Sequence, residues 1–301
     1  MRKYFILLFC TALLASCTGN HKKSNLPTLT VTIEPLRYFA ETIVGDKYQV
    51  VSMVPDGTSP ETYDPNPQQL VALSKSKAYF QIGHIGFERT WIHKLQDNCP
   101  NIPFFDLSKG VNLIREQDCH NHDSHEHAHN HDGVEPHIWN STQNAHIIAE
   151  NIYQAVAELD QPNASYYKHR LDSLNKIIRT TDETVRKLLN DADKTFLIYH
   201  PALTYFARDY GLTQVSIEEA GKEPSPSQLQ QLIKTCKNSQ TRIIFVQKEF
   251  DIHNAQMIAN EIGVKVIPIN PLNYHWQEEM LQIARALNHS ETTNTAKSPS
   301  L

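Results

Sequence analysis

Between Cys119 and Trp139 the chain reads CHNHDSHEHAHNHDGVEPHIW. His120, His122, His125, His127, His129 and His131 are separated only by small, polar or acidic residues. That run has no apolar period, so it cannot bury a face and reads as a loop. Neutral imidazole is the commonest metal ligand at neutral pH, which suits such a tract to holding late first-row divalent ions such as zinc weakly and in several geometries. The same composition also describes a solvated linker or a natural histidine tag, and Cys119 beside it reads as an idle thiol or an added ligand. His137 stands in a different setting. Pro136 stiffens its approach and Ile138 and Trp139 follow it, so its backbone is expected to be anchored on a core. It is a candidate fixed ligand if partners join it, and an ordinary core histidine if none do.

Candidate partners are placed by the elements around them. Residues Pro55 to Pro67 are rich in turn formers, with prolines fixing φ at several points, which makes a stiff loop and puts the carboxylate of Glu61 in a defined place. Before this loop, Thr28 to Ile33 and Tyr48 to Val54 read as strands with a helix over Tyr38 to Val44 between them. After it come a helix over Gln68 to Lys75, a strand over Ala78 to Ile82, a turn into another helix, and a strand over Phe104 to Leu107. Ser141 is a good N-cap for an apolar period that runs to Leu159. A helix over Asn163 to Leu189 would span roughly 40 Å and act as a rigid spine. Beyond it, strands over Thr195 to Tyr199, Leu212 to Ile217, Arg242 to Val246 and Val264 to Ile269 alternate with helices over Leu203 to Tyr210, Gln228 to Lys237, Asn254 to Ile262 and Trp276 to Leu287. Alternating strands and helices signal layered α/β lobes. Two of the strands run directly into His200 and Asn270, and ligands of open α/β sheets collect at the carboxyl ends of strands.

The chain opens with Arg2 and Lys3, an apolar run from Tyr4 to Ala15, and then Ser16-Cys17, the pattern of a secretory signal too short to span a bilayer. Ending on cysteine, it resembles a bacterial lipobox, which implies cleavage before Cys17 and acylation of that residue. Loss of residues 1–16, with their two basic side chains, takes the formal charge from −5 to −7. This balance, with no basic stripe, argues against nucleic acid. Cys99, Cys119 and Cys236 remain after Cys17, an odd set without framework spacing, so no disulfide network holds the fold.

Five stretches in one order carry a family resemblance: Val54-Pro55-Asp56-Gly57 leading into Ser59-Pro60-Glu61-Thr62-Tyr63-Asp64-Pro65-Asn66-Pro67; Glu135-Pro136-His137-Ile138-Trp139; Tyr199-His200-Pro201-Ala202 with Tyr205-Phe206 and Tyr210-Gly211-Leu212; Gly221-Lys222-Glu223-Pro224-Ser225-Pro226; and Ile269-Asn270-Pro271-Leu272. In these the chain resembles the zinc and manganese receptors among bacterial ABC-transporter substrate-binding proteins. The resemblance implies two α/β lobes joined by a long rigid helix, with one metal ion in the interlobe cleft. It implies ligands at Glu61 and His137 from the first lobe, and at His200 and the Asn270 position from the second. The chain departs from the family twice, with Glu61 where histidine is usual and Asn270 where aspartate is usual. Glutamate is a competent zinc ligand. Asn270 is a neutral, poorer donor, which leaves the fourth position to a water, the amide oxygen, or a carboxylate such as Glu249.

The expected organisation is a signal peptide at 1–16, a lipidated tether at 17–26, a first lobe at 27–162 with the histidine loop at 119–132, a linking helix at 163–190, a second lobe at 191–289 and a tail at 290–301. The expected function is that of a non-enzymatic, extracytoplasmic, monomeric receptor that captures Zn²⁺ and hands it to an ABC permease, lipid-anchored in the periplasm through Cys17. Two histidines and a tetrahedral preference favour zinc over manganese. The competing readings are a manganese or iron receptor, a zinc-buffering or adhesin lipoprotein, and a zinc hydrolase. Against the last, no His-Glu-x-x-His motif stands in a helical pattern.

Overall fold

Eight strands form two four-stranded, wholly parallel sheets of identical order in the computed structural model, which describes residues 26–115, 133–218, 225–238, 242–250 and 252–288. The first sheet runs β2 (Gln49–Ser52), β1 (Thr28–Val31), β3 (Tyr79–Gln81), β4 (Phe104–Asp106). The second runs β6 (Thr213–Ser216), β5 (Thr195–Ile198), β7 (Ile243–Gln247), β8 (Lys265–Ile269). Each order reverses direction once, between β1 and β3 and between β5 and β7. Such a switch point opens a crevice at the carboxyl ends of the strands. The signal region, the tether up to residue 25, the histidine tract and Cys119, the Gly221 to Pro224 motif and the tail all lie outside the described residues.

The helices are α1 (Glu34–Val44), α2 (Pro67–Leu73), α3 (Gly86–Asn98), α4 (Thr142–Leu159), α5 (Ala164–Leu188), α6 (Thr204–Tyr210), α7 (Pro226–Asn238), α8 (Ile252–Ile262) and α9 (Trp276–Leu287). α1 begins four residues before the apolar period suggests, because Pro35 pre-sets φ in the first turn and lacks the N–H that a helix start leaves unpaired. Its buried face is Leu36, Phe39, Ala40 and Ile43, at helical spacing. Ser141 caps α4 as expected, its hydroxyl accepting from Asn144 N at 3.0 Å, a bond worth about 1 kcal/mol.

α5 is unbroken over 25 residues, roughly 37 Å at 1.5 Å per residue. Its buried stripe of Tyr167, Leu171, Leu174, Ile178 and Val185 packs against α1, α4 and α9. The two sheets therefore do not have separate cores. One continuous apolar cluster holds Leu29 and Val31 of β1, the α5 stripe, Phe196 and Ile198 of β5, and Trp276 of α9. Side chains alternate along a strand, so Leu197 of β5 and Ile244 and Val246 of β7 face the other way, onto a smaller cluster with Ala255, Ile258 and Ala259 of α8. Cys99 is a free, buried thiol. Among the described residues no helix is long and apolar enough to cross a membrane.

Candidate metal centre

Glu61 reaches the cavity on a loop that is sewn down along its length. Asn66 and Gln69 form a reciprocal capping box at the start of α2, each backbone N–H donating to the other's side-chain oxygen at 3.0 Å. Gln69 also donates through Nε2 to Met53 O at 2.7 Å and accepts from the Tyr63 hydroxyl at 2.6 Å, so one side chain ties both ends of the loop. The middle is fixed to the start of α3. Phe87 N donates to Pro60 O at 2.8 Å, and Gly86 N donates to Glu61 Oε2 at 3.1 Å. Gly86 is glycine for a steric reason: a Cβ there would lie 2.4 Å from Glu61 Oε2 and 2.7 Å from Glu61 O.

His137 is buried, and its setting is as anchored as the Pro-His-Ile-Trp pattern suggests. Ile138 and Trp139 are within the core. Trp139 Nε1 donates to Pro271 O at 2.7 Å, and Trp276 Nε1 donates back to Trp139 O at 2.7 Å. Asn140 Nδ2 donates to Ala202 O at 2.9 Å, so the segment carrying His137 is bound directly to the second lobe. Glu135 fixes the ring. Its Oε1 accepts from His137 N at 2.9 Å and from Nδ1 at 2.6 Å, while its Oε2 accepts from the Thr204 hydroxyl at 3.1 Å. Burial pushes the Glu135 carboxyl up, but the charge and hydrogen bonds of His137 outweigh it and hold that carboxyl below its ordinary value. Burial likewise pushes the His137 imidazole down, and Glu135, helped by Glu61 and Glu218, raises it overall.

His200 follows β5 directly, and parallel pairing decides its neighbours. Ile198 is opposite Ser216 and Phe245, so two residues further on His200 sits beside Glu218 on one side and Gln247 on the other. Glu218 Oε2 lies 3.1 Å from His200 Nδ1. The Gln247 amide carries on the ladder, donating to His200 O at 2.6 Å and accepting from His200 N at 3.3 Å. Phe250 stacks on the imidazole at 5.1 Å between centroids and 15° between planes.

With both Nδ1 atoms held by carboxylates, both rings turn Nε2 toward one point, and the two Nε2 atoms are 3.3 Å apart. Two ligands bonded at 2.0–2.1 Å to a tetrahedral zinc ion stand about 3.3–3.4 Å apart. The cavity they share is about 30 Å³, walled by Pro60, Trp139, Phe250 and Leu272, with Glu61 and Glu249 also lining it. Burial raises the Glu249 carboxyl above its ordinary value. Among the described residues no three His, Cys, Asp or Glu side chains already form a coordination sphere. The imidazoles are the converged pair, and a carboxylate has to rotate to join them.

Asn270 is not among the lining residues. Its Oδ1 accepts from Leu272 N at 3.2 Å and its N–H donates to Glu279 Oε1 at 2.7 Å, so the side chain caps its own turn after β8. Glu135 and Glu218 went unassigned in the sequence. Glu135 had a readable signal, being two residues before His137 across a proline, whereas Glu218 becomes visible only once β5 and β6 are known to pair in parallel.

Two lobes of this topology around a cavity of ion size, lined by imidazole and carboxylate, define a metal-binding receptor rather than a protein for larger solutes. Residues 29–288 match the family described as zinc-uptake complex component A, periplasmic (ZnuA), and the chain belongs to it. Members are substrate-binding receptors of ABC transporters, not enzymes. The chain is 27% identical over 293 residues to the high-affinity zinc uptake system protein ZnuA of Bacillus subtilis, covering 91% of this chain and 89% of that one. It is 26% identical over 294 residues to the zinc-binding lipoprotein AdcA of Streptococcus pneumoniae, where it spans 93% of its own length and 57% of that longer protein. A crystal structure of ZnuA superposes with a TM-score of 0.80 at 33% identity, over 87% of this chain and 98% of that one.

Proposed function

We infer that the chain is an extracytoplasmic receptor that captures Zn²⁺ and delivers it to an ABC permease, with Glu61, His137 and His200 as its ligands. The observation that carries the ligand assignment is the pair of carboxylate-backed imidazoles with Nε2 atoms 3.3 Å apart. Metal-bound histidine commonly donates its other ring N–H to a carboxylate, which fixes the tautomer and raises the basicity of the ligating nitrogen. Family membership supports the zinc cargo and the permease partner. The organisation we propose is a signal peptide at 1–16, acylation at Cys17, lobes at 27–162 and 191–289 joined by a helix at 163–190, and a monomer held on a membrane by its lipid. The tract from Cys119 to Asp132 acts as a weak auxiliary zinc store. The letters His125-Glu126-His127-Ala128-His129 spell a zinc-protease motif, but they lie in that tract without a helical pattern.

A manganese or iron receptor is the second reading, supported by two carboxylates in the same cavity, since oxygen ligands suit harder ions. Calorimetric titration of the chain from Cys17 with Zn²⁺ and with Mn²⁺, repeated after deletion of residues 119–132, separates these. One tight zinc event that survives the deletion, with manganese much weaker, is expected. Tighter manganese binding would move the cargo to the second reading, and loss of all zinc binding with the tract would remove the cleft as the primary site.

A further inference from the structure

Among the described residues, three buried side-chain atoms lack a hydrogen-bond partner: Oε1 of Glu61, of Gln81 and of Glu249. Two of the three belong to side chains that line the imidazole cavity. A buried acceptor left unpaired keeps the penalty of losing its water, and the penalty is larger when the group is charged. Two carboxylates with an unpaired buried oxygen thus line the small cavity that also holds the two facing imidazole nitrogens, and a rotation that brings those oxygens to a cation there would satisfy them.

Glu249 comes from the second lobe. It lies two residues past Gln247, whose amide holds both backbone groups of His200, so one strand end positions both side chains. Its neighbour Lys248 reaches across to the first lobe and pairs with Asp56 at 3.0 and 3.2 Å, in the same 54–67 segment that carries Glu61. Asn270 is the alternative from this lobe; it is not among the residues that line the cavity, and its amide oxygen is engaged by Leu272 N. Resting on the reading of the cleft as the zinc site, we propose that Glu249 rather than Asn270 supplies the fourth donor. Each lobe then contributes two groups, Glu61 and His137 from the first and His200 and Glu249 from the second. Two neutral imidazoles and two carboxylates carry a formal charge of about −2, which the divalent ion neutralises.

The test is a zinc competition titration against a chromophoric chelator, on the full mature chain and its Glu249→Gln, Asn270→Ala and His200→Ala variants. Glu249→Gln is expected to weaken the tight step by about tenfold or more, Asn270→Ala by less than about threefold, and His200→Ala to abolish it. Cobalt(II) in place of zinc gives a readout that altered packing does not move: its visible absorption follows the ligand set, so Glu249→Gln changes the band shape and Asn270→Ala leaves it. A melt of each metal-free variant checks folding, and Glu249→Ala replaces Glu249→Gln if the latter melts early. Unchanged affinity and spectrum in the Glu249 variant, with the tight step lost in His200→Ala, overturns the Glu249 assignment and leaves the cleft reading intact. Loss of affinity in Asn270→Ala instead overturns it in favour of the amide. A tight step that survives His200→Ala overturns both.

Discussion

Nε2 of His137 and Nε2 of His200 face each other at 3.3 Å, and each ring is held from behind by a carboxylate. Glu135 holds one through Nδ1 at 2.6 Å and Glu218 holds the other at 3.1 Å. With the Nδ1 protons directed at carboxylates, two lone pairs point at one gap. That arrangement is unfavourable until a proton or a metal ion enters, so the protein stores a preference for a cation at a fixed point between its lobes.

The carboxylates behind the rings give the first prediction. Glu135→Gln and Glu218→Gln each keep size and remove charge, and each should weaken zinc binding about 10–100-fold, the usual cost of losing a partner behind a metal-bound histidine. Zinc titration reads the loss directly. Binding unchanged in both variants would mean that the rings are not held as ligands.

Gly86→Ala tests the placement of Glu61. The glycine has no left-handed φ, so alanine is tolerated by the backbone, but its Cβ meets Glu61 Oε2 at 2.4 Å. The loop must shift, at about 1–3 kcal/mol of overpacking cost, and zinc affinity should fall with stability. Urea melts of the metal-free protein, paired with zinc titrations, check both. Full affinity in the variant would show that the Gly86 contact does not position Glu61.

Glu88 predicts a pH dependence unconnected with metal. It is fully buried at the start of α3, accepting from Thr32 Oγ1, from Ile82 N at 3.0 Å and from Gly83 N at 2.6 Å. Burial raises it from 4.5 to about 7 against those bonds. A carboxyl raised in the fold binds more protons folded than unfolded between the two values, so its contribution falls as pH rises from 4.5 to about 7 and is level above that. At about 1.4 kcal/mol per unit the whole span is worth about 3 kcal/mol. Urea melts across that range should show wild type losing stability relative to Glu88→Gln as pH rises, and a constant difference would contradict it.

The shared core predicts that the lobes do not part. Tyr167, Leu171 and Leu174 of α5 belong to the same cluster as β1 and β5, so unfolding should be one cooperative transition. Small-angle scattering should give the same radius of gyration with and without zinc. Two separate melting steps, or marked compaction on binding, would show independent lobes.

Much of this was legible in the sequence, for reasons that differ by residue. Element order was readable because the apolar periods change from two to nearly four, with turn residues between them, and boundaries moved mainly where a proline intervened, as at Pro35. Glu61, His137 and His200 stood out because each lies in a proline-stiffened stretch or follows a strand end, the positions that hold a side chain still. Glu218 was hidden because its role comes from strand pairing between residues 18 apart. Asn270 drew attention by following β8, as His200 follows β5, yet its short amide reaches its own turn first. That competition between a side chain and its neighbouring backbone leaves no trace in spacing.

The decisive measurement is a crystal structure of the mature chain loaded with one equivalent of zinc, with the ion located by anomalous scattering at the zinc edge. One ion bonded by Nε2 of His137 and Nε2 of His200 at about 2.0–2.1 Å, with Glu61 turned onto it, is the predicted result. Zinc held only by the tract from Cys119 to Asp132, with the two facing imidazoles left without an ion, would contradict it.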